Sequence, residues 1–130
     1  MRFHHIGVAC KDISETLKFV QKSFDVVEAS EIIFDKKQDA DLCLLELTDG
    51  SHIELVSGKA VEKFVAKRQS LYHTCWQVSD IEQAIAKLYD NGAILISPPT
   101  EAILFDNRKV AFLFSDIGII ELLEENLSAV

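Results

Sequence analysis

Apolar and polar positions follow two rhythms along the chain. In "DISETLKFVQKSF" the apolar residues Ile13, Leu17, Val20 and Phe24 keep helical spacing. Asp12 stands at the N-cap position, and Glu15 three residues on supplies the capping-box signature. "SDIEQAIAKLYDNG" repeats the pattern, with Ser79 or Asp80 as cap and Ile81, Ile85 and Leu88 as the stripe. Gly92 then reads as a helix stop. The runs "ADLCLLELT" and "KVAFLFS" read as strands, each followed by an acidic, glycine-bearing stretch that predicts a tight hairpin.

These elements recur at a fixed spacing. "HIGVACKDI" and "HTCWQVSDI" share the pattern H-x6-D-I, placing His5 on His73 at an offset of 68. "DGSHIEL" at 49–55 matches "DIGIIEL" at 116–122, both D-x-x-x-I-E-L, at an offset of 67. Each half therefore reads as strand, helix and about three strands, over roughly 2–57 and 71–124. The predicted fold is α+β: two tandem βαβββ modules forming a cupped mixed sheet, within one domain spanning 1–130. One half-sheet alone cannot cover its apolar face, so the modules are expected to pack as a pair. The polar joining segment 58–70 has room for a short helix, and the tail "NLSAV" is expected to fray.

The repeat picks out polar residues on apolar strands. Each half offers a His in its first strand, His5 and His73, and a Glu in its last, Glu54 and Glu121. A carboxylate among "HIELV" or "IIELL" is costly unless it is paired or binds a metal. A single strand His is most often a core residue, and a single strand Glu most often faces water. Two imidazoles and two carboxylates at symmetric places instead suit a divalent metal with mixed N/O ligands, Zn, Ni, Co, Mn or Fe, with Cu less favoured. His4 falls on Tyr72 in the repeat and points to the opposite strand face, so it is expected to pack at the flank or meet solvent.

Composition narrows the partners. With 13 Lys and Arg against 21 Asp and Glu, the net charge of −8 argues against nucleic acid. No run reaches the ~20 apolar residues a membrane helix needs, and "MRFHH" shows no signal-peptide core, so the cytoplasm is expected. Cys10, Cys43 and Cys75 form no C-x-x-C pair and read as reduced, packed thiols.

At this point the chain resembles a known family. The order His, Glu, His, Glu and the paired modules look like the vicinal oxygen chelate superfamily of glyoxalases, bleomycin-resistance proteins and dioxygenases. "YHTCWQVSDIEQAIAKL" and "DNRKVAFLFSDIGIIELLEE" are similar to the second half of glyoxalase I-like and methylmalonyl-CoA epimerase-like members. The resemblance spans roughly 3–124. It implies that His5, Glu54, His73 and Glu121 hold one divalent ion (Ni, Zn or Co) at the centre of the cup. It further implies proton abstraction beside a carbonyl through a metal-stabilised enediolate or enolate, with Glu121 as first candidate base and Glu54 beside it.

The resemblance favours a glyoxalase I-like lactoylglutathione lyase, because epimerases usually carry Gln where Glu54 stands. A methylmalonyl-CoA epimerase-like isomerase is the alternative. Its second base falls on Leu42, next to Asp41, and Glu46 on the same strand is expected to face solvent. A non-catalytic resistance-type binding protein and an extradiol dioxygenase fit a complete four-ligand set less well. The implied substrate is a small carbonyl compound or thioester, with glutathione or another thiol as candidate co-substrate, and the implied assembly is a homodimer with each site closed within one chain. Arg108, Asn107 and Trp76 are the substrate-contact candidates, the first two in a loop at 106–109. Trp76, Phe112 and Phe114 also have a plain core reading. Pro98–Pro99 is expected to break a strand. His52 is expected to be exposed, sharing the face of Glu54 only on a bulged strand.

Overall fold

The computed structural model describes residues 1–125; the tail at 126–130, expected to fray, lies outside them. The chain divides into two compact units, residues 5–72 and residues 1–4 with the chain from His73 onward.

The first unit runs from residues 5–9 of strand β1 (Arg2–Ala9) to helix α1 (Ile13–Ser23), β2 (Val26–Ala29), β3 (Ile33–Asp35), β4 (Ala40–Leu47) and β5 (His52–Gly58). A short 3-10 turn and α2 (Glu62–Ala66) follow, filling the joining segment with the helix its composition allowed. The strand order is β2–β4–β5–β1, with β3 also on β4. β1 and β5 run parallel, which the intervening chain permits because it is long enough to cross over. The extra strand β3 exceeds the expected three. It forms because buried Asp35 accepts from the Lys37 N–H and Gln38 Nε2, turning the loop back onto β4.

Helix α1 starts where the sequence predicts. Asp12 is extended, and its Oδ1 accepts from the Glu15 N–H at 3.2 Å. Ile13 and Val20 are buried and Leu17 packs beside them, against Cys43, Leu45 and Leu55 of the sheet. Phe24 departs from the expected stripe. It is the C-cap residue, in extended conformation and 56% exposed, because the helix ends one residue before it.

The second unit holds β6 (Leu71–Val78), α3 (Ile81–Asp90), β7 (Ile94–Ala102), β8 (Arg108–Ser115) and β9 (Gly118–Glu124), in the order β6–β9–β8–β7. β6 and β9 are parallel, matching β1 and β5. Asp80, not Ser79, caps α3 by accepting from the Gln83 N–H at 3.1 Å. Gly92 stops the helix at φ +99°, a conformation that costs a side-chain-bearing residue energy. Val78, Ile81, Ala84, Leu113 and Leu122 form the core under the helix. Pro98 and Pro99 lie inside β7 instead of ending it. β7 is the last strand in the order, where missing N–H donors are tolerated, and the ladder shifts register around them.

Both modules are α+β with the same order of first strand, helix and antiparallel run, the fold the repeat predicts. All three cysteines are buried and none forms a disulfide among the described residues. Burial pushes the Cys10 and Cys43 thiols up, and hydrogen bonding from Thr16 and Ser30 opposes this only in part. Thiols held in that direction are poor nucleophiles, in line with a packing role. Among the described residues no helix is long and apolar enough to cross a membrane.

Candidate metal centre

Register brings His and Glu together in each unit. In the first, Gly7 of β1 stands opposite Glu54 of β5. His5 is two residues before Gly7, so it lies on the same face as Glu54. In the second, Cys75 of β6 stands opposite Glu121 of β9, and His73 is again two residues before. The diagonal is the same in both modules. His5 Nε2 lies 3.6 Å from Glu54 Oε1, and His73 Nε2 lies 3.1 Å from Glu121 Oε1.

All four residues are at most 3% exposed. They occupy the sheet face opposite the helix-covered core of their own unit. Burying a carboxylate costs several kcal/mol unless a counter-charge or metal answers it. Each pair offers one imidazole nitrogen and carboxylate oxygens, donors that suit a divalent transition ion. The residues present therefore fit such an ion on donor chemistry.

The other predicted residues divide by face. Arg108 opens β8 instead of lying in a loop, and strand alternation puts it with Val110 and Phe112 on the face of Glu121. Its Nε donates to the Glu124 carbonyl at 2.9 Å, and a terminal nitrogen donates to Gln77 Oε1 at 3.3 Å. Asn107 is exposed in the turn before it, at φ +63°, with its N–H on the Ala102 carbonyl. Trp76 is not brought to His73 and Glu121. It alternates to the other face, packs on the helix-side core, and donates from Nε1 to Thr74 Oγ1. These are the contacts of its plain core reading. Phe112 is buried edge-on to His73 at 5.6 Å, whereas Phe114, two residues further toward the hairpin, is 54% exposed and not core.

In the first unit His52 shares the face of Glu54 with no bulge, since residues two apart on a regular strand point the same way. It is half-buried, with Nε2 3.7 Å from Glu46 Oε1, its cross-strand neighbour. This second His–Glu pair was not anticipated; the pairing register of the hairpin was needed to find it. Leu42 is buried on the Glu54 face and Asp41 points to the other, so neither supplies a second base there. His4 packs edge-on to Phe105 at 5.7 Å, the flank contact expected of it. Gln77 was also missed, although it lies four residues after His73 on one strand and so on one face.

A family model described as the glyoxalase/bleomycin resistance protein/dioxygenase superfamily matches residues 4–112, which include His5, Glu54 and His73. Among solved structures, a hypothetical protein from Bacillus halodurans is 26% identical with a TM-score of 0.74, over 96% of this chain and 94% of that one. Methylmalonyl-CoA epimerase from Mycobacterium tuberculosis is 19% identical with a TM-score of 0.82, over 99% and 92%. Methylmalonyl-CoA epimerase from Streptomyces coelicolor, in complex with 2-nitronate-propionyl-CoA, is 21% identical with a TM-score of 0.74, over 96% and 97%. A comparison with curated protein sequences finds no match. With matched register, matched His–Glu diagonals and a family match over most of its length, the chain belongs to the glyoxalase/bleomycin resistance protein/dioxygenase superfamily.

Proposed function

We propose that the chain is a metal-dependent enzyme that moves a proton on the carbon beside a carbonyl, a glyoxalase I-like lactoylglutathione lyase in the first instance. The observation that carries this reading is the buried His–Glu diagonal repeated in the same register in both modules. In this reading His5, Glu54, His73 and Glu121 hold one divalent ion, Ni, Zn or Co, and each chain closes its own site. When bound, such an ion polarises a substrate carbonyl oxygen as a Lewis acid.

The chain's own residues do the rest. Both imidazoles present Nε2 toward their glutamate, as a ligand nitrogen must. Glu121 takes the proton and returns it to the adjacent carbon, a general-base step worth ~100- to 10,000-fold. Phe112 and Val110, buried on the same face, keep water from that exchange. Leu42 leaves no carboxylate at the expected second-base position, which favours one base returning the proton over two acting from opposite sides. The epimerase-like reading draws support from the solved epimerases of like fold.

The deciding experiment combines metal analysis with two assays. The purified protein is expected to hold one divalent ion per chain and to turn over the hemithioacetal of methylglyoxal and glutathione. Turnover of methylmalonyl-CoA instead selects the epimerase. A protein that holds no metal and turns over neither substrate rejects the enzyme reading in favour of a binding protein, and a Glu121→Gln variant that keeps full activity overturns Glu121 as the base. A homodimer is expected at twice the 14.6 kDa chain mass in light scattering.

A further inference from the structure

One left-handed backbone position stands apart from the others. Among the described residues the non-glycines with positive φ are Asp39, Arg68, Asp106 and Asn107. Asp and Asn tolerate that region, because a short polar side chain can bond its own backbone there. Arginine has no such compensation. Arg68 sits at φ +57°, directly after Lys67, the C-cap of α2. Its N–H bonds the Val65 carbonyl at 3.0 Å, and the Gln69 N–H bonds the Phe64 carbonyl at 2.8 Å. This pair of bonds is a helix-ending motif that usually takes glycine at the Arg68 position. The end of α3 makes the same two bonds, Gly92 to Tyr89 and Ala93 to Leu88, and there the residue is glycine. An arginine kept at a conformational cost points to a task for its side chain. Neutralising the helix end does not require it, since Lys63 and Lys67 already place cations there.

Arg68 lines an open cleft of about 480 Å³ with Lys11, Gln69 and Ser70, beside the aliphatic Val65 and Ala66. No carboxylate lines it. Among the described residues neither Lys11 nor Arg68 makes an ion pair, in a chain with 21 acidic residues against 13 basic ones. Lys11 falls on Ser79 in the repeat, and the groove at Ser79 is lined by Asp80 and Asp90 together with Lys87. The scaffold therefore does not impose a basic lining. The polar residues of the cleft come from the loops after β1 and α2, and neither His5 nor Glu54 lines it.

A guanidinium carries five N–H donors and an ammonium three, and neither accepts. The Gln69 amide and the Ser70 hydroxyl add neutral donors. Two positive charges among donors suit a tetrahedral oxyanion. The volume falls in the range of small-molecule sites, about 300–1,000 Å³, so a phosphate fits with a small organic group attached. We infer that Arg68 and Lys11 form a phosphate-binding site, separate from the His5–Glu54 pair, that takes free phosphate or the phosphate of a small ester.

The test is a titration of the intact, chelator-treated protein with inorganic phosphate and with glycerol 3-phosphate, so that no metal competes for the anion. Amide NMR shifts and calorimetry follow it. Saturable shifts are expected at residues 11 and 68–70, with affinity falling as salt rises. Tighter binding of the ester assigns the site to phosphate esters; equal or tighter binding of the free ion assigns it to phosphate itself. Arg68→Gly should lose about tenfold or more in affinity. It should nonetheless melt no lower than the unaltered protein, because glycine removes the left-handed cost. Lys11→Gln should lose affinity by a smaller factor. Lys67→Gln alters a residue outside the cleft lining and should bind as before. No saturable binding of either probe, or binding indifferent to Arg68→Gly and Lys11→Gln, overturns the inference. Should Arg68→Gly fold poorly, Lys11→Gln decides by the same criterion.

Discussion

Glu54 faces Leu44 across its hairpin, and Glu121 faces Phe112 across the equivalent one. Around this shared geometry the two modules differ. Toward the hairpin turn the first module carries the half-buried His52–Glu46 pair, where the second carries Ile119 and Phe114. At the opposite end the first has Ala9 and Ala40, where the second has Gln77 and Arg108. The backbone register is common property, and the polar decoration is placed separately in each half. A duplicated scaffold holds its ligand diagonal constant while the residues around it are free to diverge, so the differences point to function better than the likenesses do.

The largest effect expected from breaking this comparison is catalytic. Glu121→Gln should lower kcat by about 100-fold or more, while Glu54→Gln, which keeps an oxygen donor, should lose much less. Equal losses in steady-state assays would show that the modules share the base role. In chelator-treated protein, Glu121→Ala strands His73 in the core and should cost ~3–5 kcal/mol in urea unfolding. Replacing His73 and Glu121 together by Leu should restore most of that. Glu54→Ala should cost less, because its histidine lies farther away, at 3.6 Å against 3.1 Å.

Smaller effects sharpen the likeness. Leu55 and Leu122 are equivalent and almost fully buried. Truncation of either to Ala should cost about 2–5 kcal/mol, and unequal values would mean that one core relaxes more than the other. Asp12→Ala should cost about 1 kcal/mol. Asp80→Ala should cost less, since the Glu124 carboxylate already accepts from the first N–H of α3. Thermal melts of the two variants compare the caps directly.

The smallest effect concerns the hairpin turns. Ser51 donates to Asp49 from both N and Oγ, which holds the Asp49 carboxyl below its ordinary range. A depressed carboxyl stabilises the fold above its unfolded pKa and loses that contribution as pH falls through the folded one. The other turn uses Ser115, which accepts from the Ile117 N–H and donates to the Gly118 carbonyl and does not titrate in this range. Amide exchange followed on acidification should rise in the first turn before the second; simultaneous loosening would contradict the assignment.

Much of this was legible in one dimension. Strand alternation, helical stripes and capping residues are local, so both helices, both hairpins and the paired His and Glu could be read directly. The register-borne features could not. The His52–Glu46 pair, the turn of Trp76 away from His73 and the Arg108–Gln77 contact all depend on which strand lies beside which. Phe24 and Phe114 look like core residues by type and were exposed, because one residue of helix length or one step along a hairpin decides what covers them. The strand at Pro98–Pro99 survived because its place at the end of the strand order spares it the missing donors.

By itself the sequence determined the repeat, the α+β elements and the four ligand-type residues, because spacing and residue chemistry are properties of the chain. Only the tertiary structure decided that each His meets its Glu on a buried diagonal, and that an arginine paired with no carboxylate among the described residues stands on the same face as one of those pairs. Those facts are set by cross-strand register, where a shift of one residue would send every side chain to the other face.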